Sequence, residues 1–206
     1  MTDTVRIYCF PLSGHSHRVE LFAGLAGIDH ELVEIDLKTG EHKEQAFLDI
    51  NPAGQVPAIQ HGEVTLTDSN AILVYLAKTF AAEWLPEDPE AAARVQRFLS
   101  LAAGELRYGP AVARVITVFG APLDAERAKD IATWVFDRIE ADLQGRQWLV
   151  GDRPTIADVA IYSYTAHAPE GNVSLAAYPE IRRWLARVEA LPGFVPMVAT
   201  KVGLAA

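Results

Sequence analysis

Two serines and two histidines lie between an apolar stretch and a helical pattern near the N-terminus. The segment reads YCFPLSGHSHRVELFAGLAGI and contains Ser13, His15, Ser16 and His17. A serine hydroxyl at the start of a helix can cap it by accepting a backbone N–H. The same position can hold a ligand, because the first amides of a helix point outward and favour negative charge. The spacing alone leaves both roles open for Ser13. We expect Ser16 to act as a cap, and the two histidines to face solvent or the rim of a pocket.

A second predicted helix starts with Asp68 and Ser69, in TDSNAIL. Helix N-terminal amides together with a serine hydroxyl can bind a carboxylate, and a neighbouring acid can pair with an ammonium group. The alternative is a plain N-cap, and capping and ligand binding can coexist. Asp68 and Ser69 are therefore candidates for binding a group that carries both charges.

Two further polar features lie between these helix starts. Val56-Pro57 stands at a strand entrance in GQVPAI, where a cis bond would turn the Val56 backbone outward to pair with an extended peptide. The alternative is an ordinary trans proline at an edge strand. His42 and Lys43, in TGEHKE, offer local positive charge to an anionic ligand, and Gln55 can reach the same end. The alternative for this loop is a solvated charged surface.

The composition bounds the class of protein. The 206 residues, half of them apolar, are enough for one large or two small domains with a full core. A net charge of −9 repels phosphate backbones, so nucleic acid is a poor candidate partner. No apolar run approaches the roughly 20 residues of a membrane helix, and no secretory leader is read. A single cysteine, Cys9, excludes a disulfide framework and a CxxC pair and favours a reducing cytoplasm.

The first part of the chain alternates between strand and helix patterns. VRIYCF predicts a buried strand that contains Cys9, and apolar residues at helical spacing follow from Val19 to Ala26. HELVEIDL predicts a half-exposed strand and KEQAFLDI a short helix, while PAIQ and EVTLT predict a hairpin around His61-Gly62. A helix begins at DSNAIL. The predicted order is β-α-β-α-β-β-α, with the first two strands parallel, which is a thioredoxin-like arrangement.

From about residue 85 onward every periodic stretch is helical. We predict a domain over residues 1–80, a linker over 81–88 and an all-α domain over 89–206. A capping box opens one of its helices, with Thr155 and Asp158 at the required spacing. Gly109-Pro110 predicts a bend, because proline lacks the N–H and clashes with the preceding turn. The predicted helices are Pro89–Val118, Asp124–Gln144, Thr155–His167, Tyr178–Leu191 and a short one after Gly193.

Four segments in this order resemble the cytosolic glutathione S-transferase family. They are SGHSHRV after the first strand, GEHKEQAFLDINPAGQVPAI, TDSNAIL, and GDRPTIADVAIY in the helical half. The resemblance spans the whole chain and is greatest to the serine-type classes (phi, tau, theta and zeta), although no single class is matched cleanly. It implies a thioredoxin-like domain that binds glutathione, followed by the all-α domain, and a homodimer.

The resemblance also implies roles for the candidate residues. Ser13 would be the catalytic residue that stabilises the glutathione thiolate. Val56-Pro57, with a cis bond, would pair with the cysteinyl backbone. Asp68 and Ser69 would bind the γ-glutamyl end, although the family usually has Glu-Ser there. His42, Lys43 and Gln55 would bind the glycyl carboxylate. We expect no metal and no cofactor beyond glutathione as co-substrate.

The site of the electrophile is expected between Leu12 and the C-terminal helices, with Tyr108 and Val112 on its wall. The alternative for such a helical face is plain core. Arg107 and Arg114 would favour an acidic co-substrate. The leading function is addition of glutathione thiolate to an electrophilic small molecule. The alternatives are a glutathione-dependent isomerase or reductase, and a non-catalytic glutathione-binding interaction module with the same fold.

Overall fold

Residues 4–80, where strand and helix patterns alternate, fold into a mixed sheet with helices between its strands. The computed structural model describes residues 4–206. Strands and helices follow each other in the predicted order. The strands are β1 (Val5–Cys9), β2 (His30–Glu34), β3 (Ala58–His61) and β4 (Val64–Thr67). The helices are α1 (Gly14–Leu25), α2 (Gln45–Leu48) and α3 (Ser69–Phe80).

The sheet has the order β2-β1-β3-β4 within the described residues. β1 pairs parallel with β2 and antiparallel with β3, and β3 and β4 form an antiparallel hairpin. The hairpin register pairs His61 with Val64, so the two-residue turn is Gly62-Glu63 rather than the predicted His61-Gly62. Gly62 has φ 56°, a left-handed conformation that glycine adopts without steric cost. The predicted thioredoxin-like order and the parallel pairing of the first two strands are confirmed.

The rest of the chain is helical, and its core is apolar. Trp184, Phe98 and Phe136 are among its largest fully buried side chains. The capping box predicted at Thr155 and Asp158 is present. The helices are α4 (Pro89–Ala103), α5 (Val112–Phe119), α6 (Ala125–Leu143), α7 (Ile156–Ala166) and α8 (Pro179–Glu189). None of the helices within residues 4–206 is long and apolar enough to cross a bilayer.

The prediction of one continuous helix over Pro89–Val118 is wrong. α4 ends at Ala103, and a π-helical turn over Arg107–Ala111 precedes α5. Pro110 lies inside that turn, where its missing N–H cannot complete a regular helix. π-helical turns commonly absorb such local mismatches and occur often at functional sites.

Two compact units divide the chain. The first contains the described residues up to Ala82 together with Pro192–Val198, and the second contains Glu83–Leu191 and Ala199–Ala206. Residues 192–198, which the sequence places in the C-terminal domain, are thus part of the sheet-containing unit.

Contacts to α1 explain how this distant segment joins the first unit. His17 Nε2 lies 2.8 Å from the carbonyl oxygen of Val195. Gly24 and Gly193 pack backbone against backbone, and a Cβ on Gly24 would lie 2.6 Å from the Gly193 oxygen. The short helix predicted after Gly193 is present as a single turn over Gly203–Ala205, and residues 194–202 contain no helix.

Candidate functional site

The candidate residues of the first unit meet at one end of the sheet, where strands begin or terminate. Tyr8 pairs with Ala58, which pairs in turn with Thr67. β1 and β4 therefore terminate, and β3 begins, at the same end of the sheet. The segments just beyond these strands contain Ser13, Val56-Pro57 and Asp68-Ser69. The fold thus brings together polar groups that are up to 56 positions apart in sequence.

Ser13 is the N-cap of α1, and its hydroxyl keeps a hydrogen to donate. Its Oγ accepts the N–H of Ser16 at 3.2 Å, and the side chain is half-buried. A serine hydroxyl has two acceptor sites and one donor hydrogen, so accepting this amide leaves the hydrogen available. Capping and donation to a bound anion are therefore compatible at Ser13.

The other polar groups near Ser13 are engaged inside the fold. Ser16 is buried, and its Oγ accepts the N–H of Phe10 at 3.2 Å, so the prediction that Ser16 caps the helix is wrong. The Tyr8 hydroxyl donates to Gln60 Oε1 at 2.7 Å. His17 is buried against the Val195 carbonyl, contrary to its predicted position facing solvent or a pocket rim. Ser13 remains as the partly accessible hydroxyl of this segment.

The Val56-Pro57 bond is cis, as the resemblance implies. No hydrogen bond formed within residues 4–206 engages the backbone N–H or C=O of Val56. The Val56 side chain packs against the cluster that contains Tyr8 and Phe47, which fixes the segment beside the sheet. An extended peptide can pair with such a backbone as an additional strand.

His42, Lys43 and Gln55 come from two loops that contact each other. Lys43 Nζ donates to the carbonyl oxygen of Gly54 at 3.1 Å, and Asn51 Nδ2 donates to the carbonyl of Gln55 at 2.6 Å. Gly54 has φ +57°, and a Cβ there would lie 2.7 Å from the His42 carbonyl oxygen. Glycine is thus required for this close approach, which holds the two loops together.

Asp68, not Ser69, is the N-cap of α3. Its Oδ1 accepts the N–H groups of Asn70 and Ala71 at 3.0 and 2.9 Å. Asp68 also has φ 68°, a conformation that strains a residue with a side chain. Such strain is concentrated at functional sites in proteins. Ser69 follows as the first residue of the helix and is buried.

Arg18 anchors Ser69, and sequence reasoning missed this contact. Arg18 is only 1% exposed, and its NH1 donates to Ser69 Oγ at 2.7 Å and to Asn70 Oδ1 at 2.9 Å. His15 Nδ1 lies 3.3 Å from the same Ser69 oxygen. The signal available in the sequence is Arg18 at the end of SGHSHR, where a cation falls at helical spacing beside the apolar residues Val19 and Phe22.

Cys9 is buried in β1, as predicted. Burial, together with the carboxylates of Glu20 and Glu34, raises the pKa of its thiol to about 11. The thiol is therefore protonated at neutral pH and is a poor nucleophile. Within residues 4–206, no group of three or more His, Cys, Asp or Glu side chains is arranged to hold a metal ion.

The residues predicted for the electrophile differ in accessibility. Tyr108 is 56% exposed on the π-helical turn, with the Arg107 guanidinium 5.5 Å from its ring centroid. Val112 and Leu12 are half-buried. Arg114 is buried and bonded to Glu170 at 2.7 Å, so the proposal that it attracts an acidic co-substrate is wrong.

Comparison with known proteins matches both halves of the chain to one family. Residues 3–78 match the family model described as glutathione S-transferase, N-terminal domain, and residues 119–192 match the C-terminal domain of the same family. The chain is 31% identical over 207 residues to glutathione S-transferase 3 of Zea mays, covering 95% of this chain and 93% of the relative. It is 32% identical over 201 residues to maleylacetoacetate isomerase of Pseudomonas aeruginosa, covering 92% and 93%.

A solved structure agrees over nearly the full length. The glutathione S-transferase from Pseudomonas fluorescens superposes with a TM-score of 0.89 at 30% identity, covering 95% of this chain and 99% of that chain. One family accounts for the polar residues at this end of the sheet, for both domain matches and for the structural likeness. The chain belongs to the glutathione S-transferase family.

Proposed function

We propose that this chain binds glutathione, stabilises its thiolate with the Ser13 hydroxyl and transfers it to an electrophilic small molecule. The observation that carries the proposal is the position of Ser13 at the head of α1 with a hydroxyl hydrogen left to donate. The first amides of that helix add a favourable field for negative charge at the same point.

The energy required is within reach of one hydroxyl. The glutathione thiol should titrate near 8.5, as a free cysteine does, so lowering its pKa by two units takes about 2.7 kcal/mol. A hydrogen bond to a charged group contributes roughly 1.5–3 kcal/mol. The helix N-terminus adds about 0.3–1 kcal/mol. Serine suits the role because it donates without ionising.

The rest of the tripeptide has candidate binding residues at the same end of the sheet as Ser13. The cysteinyl backbone pairs with Val56, whose N–H and C=O form no hydrogen bond in the part of the chain that the structure describes. The γ-glutamyl end binds at Asp68 and Ser69, and the glycyl carboxylate binds at His42, Lys43 and Gln55. These roles rest on complementary chemistry at three separate points of an extended ligand.

Glutathione is expected to raise the melting temperature of the protein. A ligand at a hundred times its Kd stabilises the folded state by about 2.7 kcal/mol through mass action. Melting curves with and without millimolar glutathione measure the shift, and sodium acetate at matched ionic strength serves as a control for unspecific anions. An unchanged Tm together with no heat in calorimetry would contradict the proposal.

Replacing Ser69 by alanine is expected to weaken glutathione binding more than it lowers stability, and any loss of stability comes from the broken hydrogen bond with buried Arg18 rather than from the cap of α3. The helix cap is Asp68, whose carboxylate stays in place. The lost hydrogen bond to a charged ligand corresponds to roughly 1.5–3 kcal/mol of binding. Calorimetric titration and thermal melting of the same variant separate the two effects. Unchanged affinity would place the γ-glutamyl end elsewhere.

A second candidate function is glutathione-dependent isomerisation, favoured by the 32% identity to maleylacetoacetate isomerase. The same thiolate serves both reactions, so the site does not separate them. Assays with glutathione at neutral pH, using a panel of electrophiles and maleylacetoacetate, compare the two. Turnover of maleylacetoacetate far above that of every electrophile would favour the isomerase.

Two further proposals follow from family membership alone. We expect a homodimer, which sedimentation velocity tests. We expect a cytoplasmic location, which fractionation of the source cells tests.

A further inference from the structure

A cleft lined by three arginines opens between α4 and the end of α6, within the second unit. Its volume is about 190 Å³. Arg94 and Arg97 lie about one helical turn apart on α4, and Arg146 comes from the loop that follows α6. Phe98 and Leu149 are buried members of the lining. None of the residues proposed to bind glutathione lines this cleft, so it is a separate candidate site.

The charges around the cleft do not cancel. Arg94 NH2 donates to Glu90 at 2.7 Å. Arg97 NH2 donates to Asp142 at 2.7 Å. The guanidinium of Arg146 forms no hydrogen bond or ion pair with any residue from 4 to 206. Three guanidiniums thus face two carboxylates, and because each guanidinium has five N–H donors, most of these donors stay available to an anion.

The loop that carries Arg146 is held in place by the helices next to it. Arg187 Nε, on α8, donates to the carbonyl oxygen of Gln147 at 3.0 Å. The backbone N–H of Leu149 donates to the buried carboxylate of Asp158 at 3.1 Å. A binding group that is already positioned loses less conformational entropy when its ligand binds. The backbone of Arg146 is therefore fixed beside α4 without the help of a ligand.

The size and the donors of the cleft indicate the class of ligand. Pockets for drug-sized molecules have volumes of roughly 300–1,000 Å³. A cleft of about 190 Å³ suits a small ion or a small organic group instead. Guanidinium groups bind phosphate through paired N–H donors, and three of them can reach several of its oxygen atoms at once.

We propose that this cleft binds a phosphate group, either as the free ion or as a small phosphate ester. The chain as a whole has a net charge of −9, which repels anions. Arg94, Arg97 and Arg146 supply the local positive charge that an anion requires against this background.

The test measures the binding of inorganic phosphate and of glycerol phosphate by calorimetry, with chloride added to equal ionic strength. Wild type is compared with Arg146→Gln and Asp142→Asn. Arg127→Gln is the matched control, because Arg127 is exposed and its guanidinium also has no partner within residues 4–206. Arg127 lies at the other end of α6 from Asp142, about 22 Å along the helix axis.

Arg146→Gln should weaken phosphate binding roughly tenfold, the effect of losing a hydrogen bond between charged groups. Arg127→Gln should bind phosphate as wild type does. Asp142→Asn should bind it several times more tightly, because the substitution removes a carboxylate from the lining and frees the donor of Arg97.

Tighter binding of glycerol phosphate would identify the ligand as an ester, and tighter binding of inorganic phosphate would identify it as the free ion; either result supports the proposal. No binding to wild type, or equal affinities in Arg146→Gln and Arg127→Gln, would overturn it. Melting temperatures show whether each variant is folded. If Arg146→Gln is not, Asp142→Asn decides, and an unchanged affinity in that variant would overturn the proposal. Because no measurement uses glutathione, the outcome does not depend on the proposed function.

Discussion

Ser13→Ala is expected to lower turnover at neutral pH by roughly ten- to a hundredfold, because the fraction of thiolate sets the concentration of the nucleophile. The pKa of the bound thiol should rise by one to two units, at 1.36 kcal/mol per unit. Glutathione affinity should stay nearly intact, since the partners of the tripeptide ends are untouched. Ultraviolet titration of the bound thiolate gives the pKa, and steady-state kinetics separate kcat from KM.

The cap function of Ser13 requires a control. Losing the bond from Ser16 N–H costs about 1 kcal/mol of stability, which thermal melting will show. Asp124→Ala removes the equivalent cap of α6 and should cost similar stability without changing the thiol pKa. Ser13→Cys should form a mixed disulfide with glutathione under mild oxidation, whereas buried Cys9 should not. A wild-type thiolate pKa in Ser13→Ala, with no capture by the cysteine variant, would leave Ser13 as a cap only.

Glu170→Ala is expected to destabilise the protein by about 3–5 kcal/mol, the loss typical of removing one partner from a buried ion pair. Glu170 and Arg114 are both buried and 2.7 Å apart. The carboxylate also accepts from His167 at 2.7 Å and from the Thr200 hydroxyl at 2.8 Å. Urea unfolding measures the change. Glu90→Ala, which removes an exposed pair with Arg94, should stay within about 1 kcal/mol.

The same carboxylate predicts a dependence of stability on pH. Burial alone would raise its pKa, but the hydrogen bonds from His167 and Thr200 and the charge of Arg114 lower it to about 2, below the usual 4.5. A pKa lowered in the folded state adds stability that is present above 4.5 and is lost as pH falls toward 2. Wild type should therefore lose more stability than Glu170→Gln between pH 5 and 2. If the stability of the two proteins fell equally over this pH range, the Glu170 carboxylate would not be the source of the loss.

Much of the fold follows from local patterns in the sequence. The order of strands and helices, the hairpin and the Thr155 capping box all depend on neighbouring residues, and all were predicted. The break after Ala103 was not, because apolar residues continue at helical spacing through Leu99, Ala102 and Leu106 across it. The irregular segment after Gly193 could not be predicted, because its path depends on contacts with α1, far away in the sequence.

The residues of the site also divide into those that local sequence predicts and those that it does not. Ser13 and Ser69 could be identified as candidate site residues because a serine at a helix start usually either caps the helix or binds a ligand there. The burial of Arg18 and His17 could not be predicted, since arginine is mostly exposed in proteins and histidine is intermediate, whereas both are buried here. Their partners, Ser69 and Val195, are 51 and 178 positions away, a distance that no local pattern spans.

The contacts of Pro192–Val198 with α1 have a consequence for synthesis on the ribosome. The first unit cannot be completed when residue 82 has been made, because Gly24 and His17 still lack the backbone that covers them. Another 116 residues, from 83 to 198, must be translated first. At about 5–20 residues per second this delay is on the order of 10 s. During that interval the helix that carries Ser13 is exposed on one side, so the N-terminal unit matures only near the end of translation.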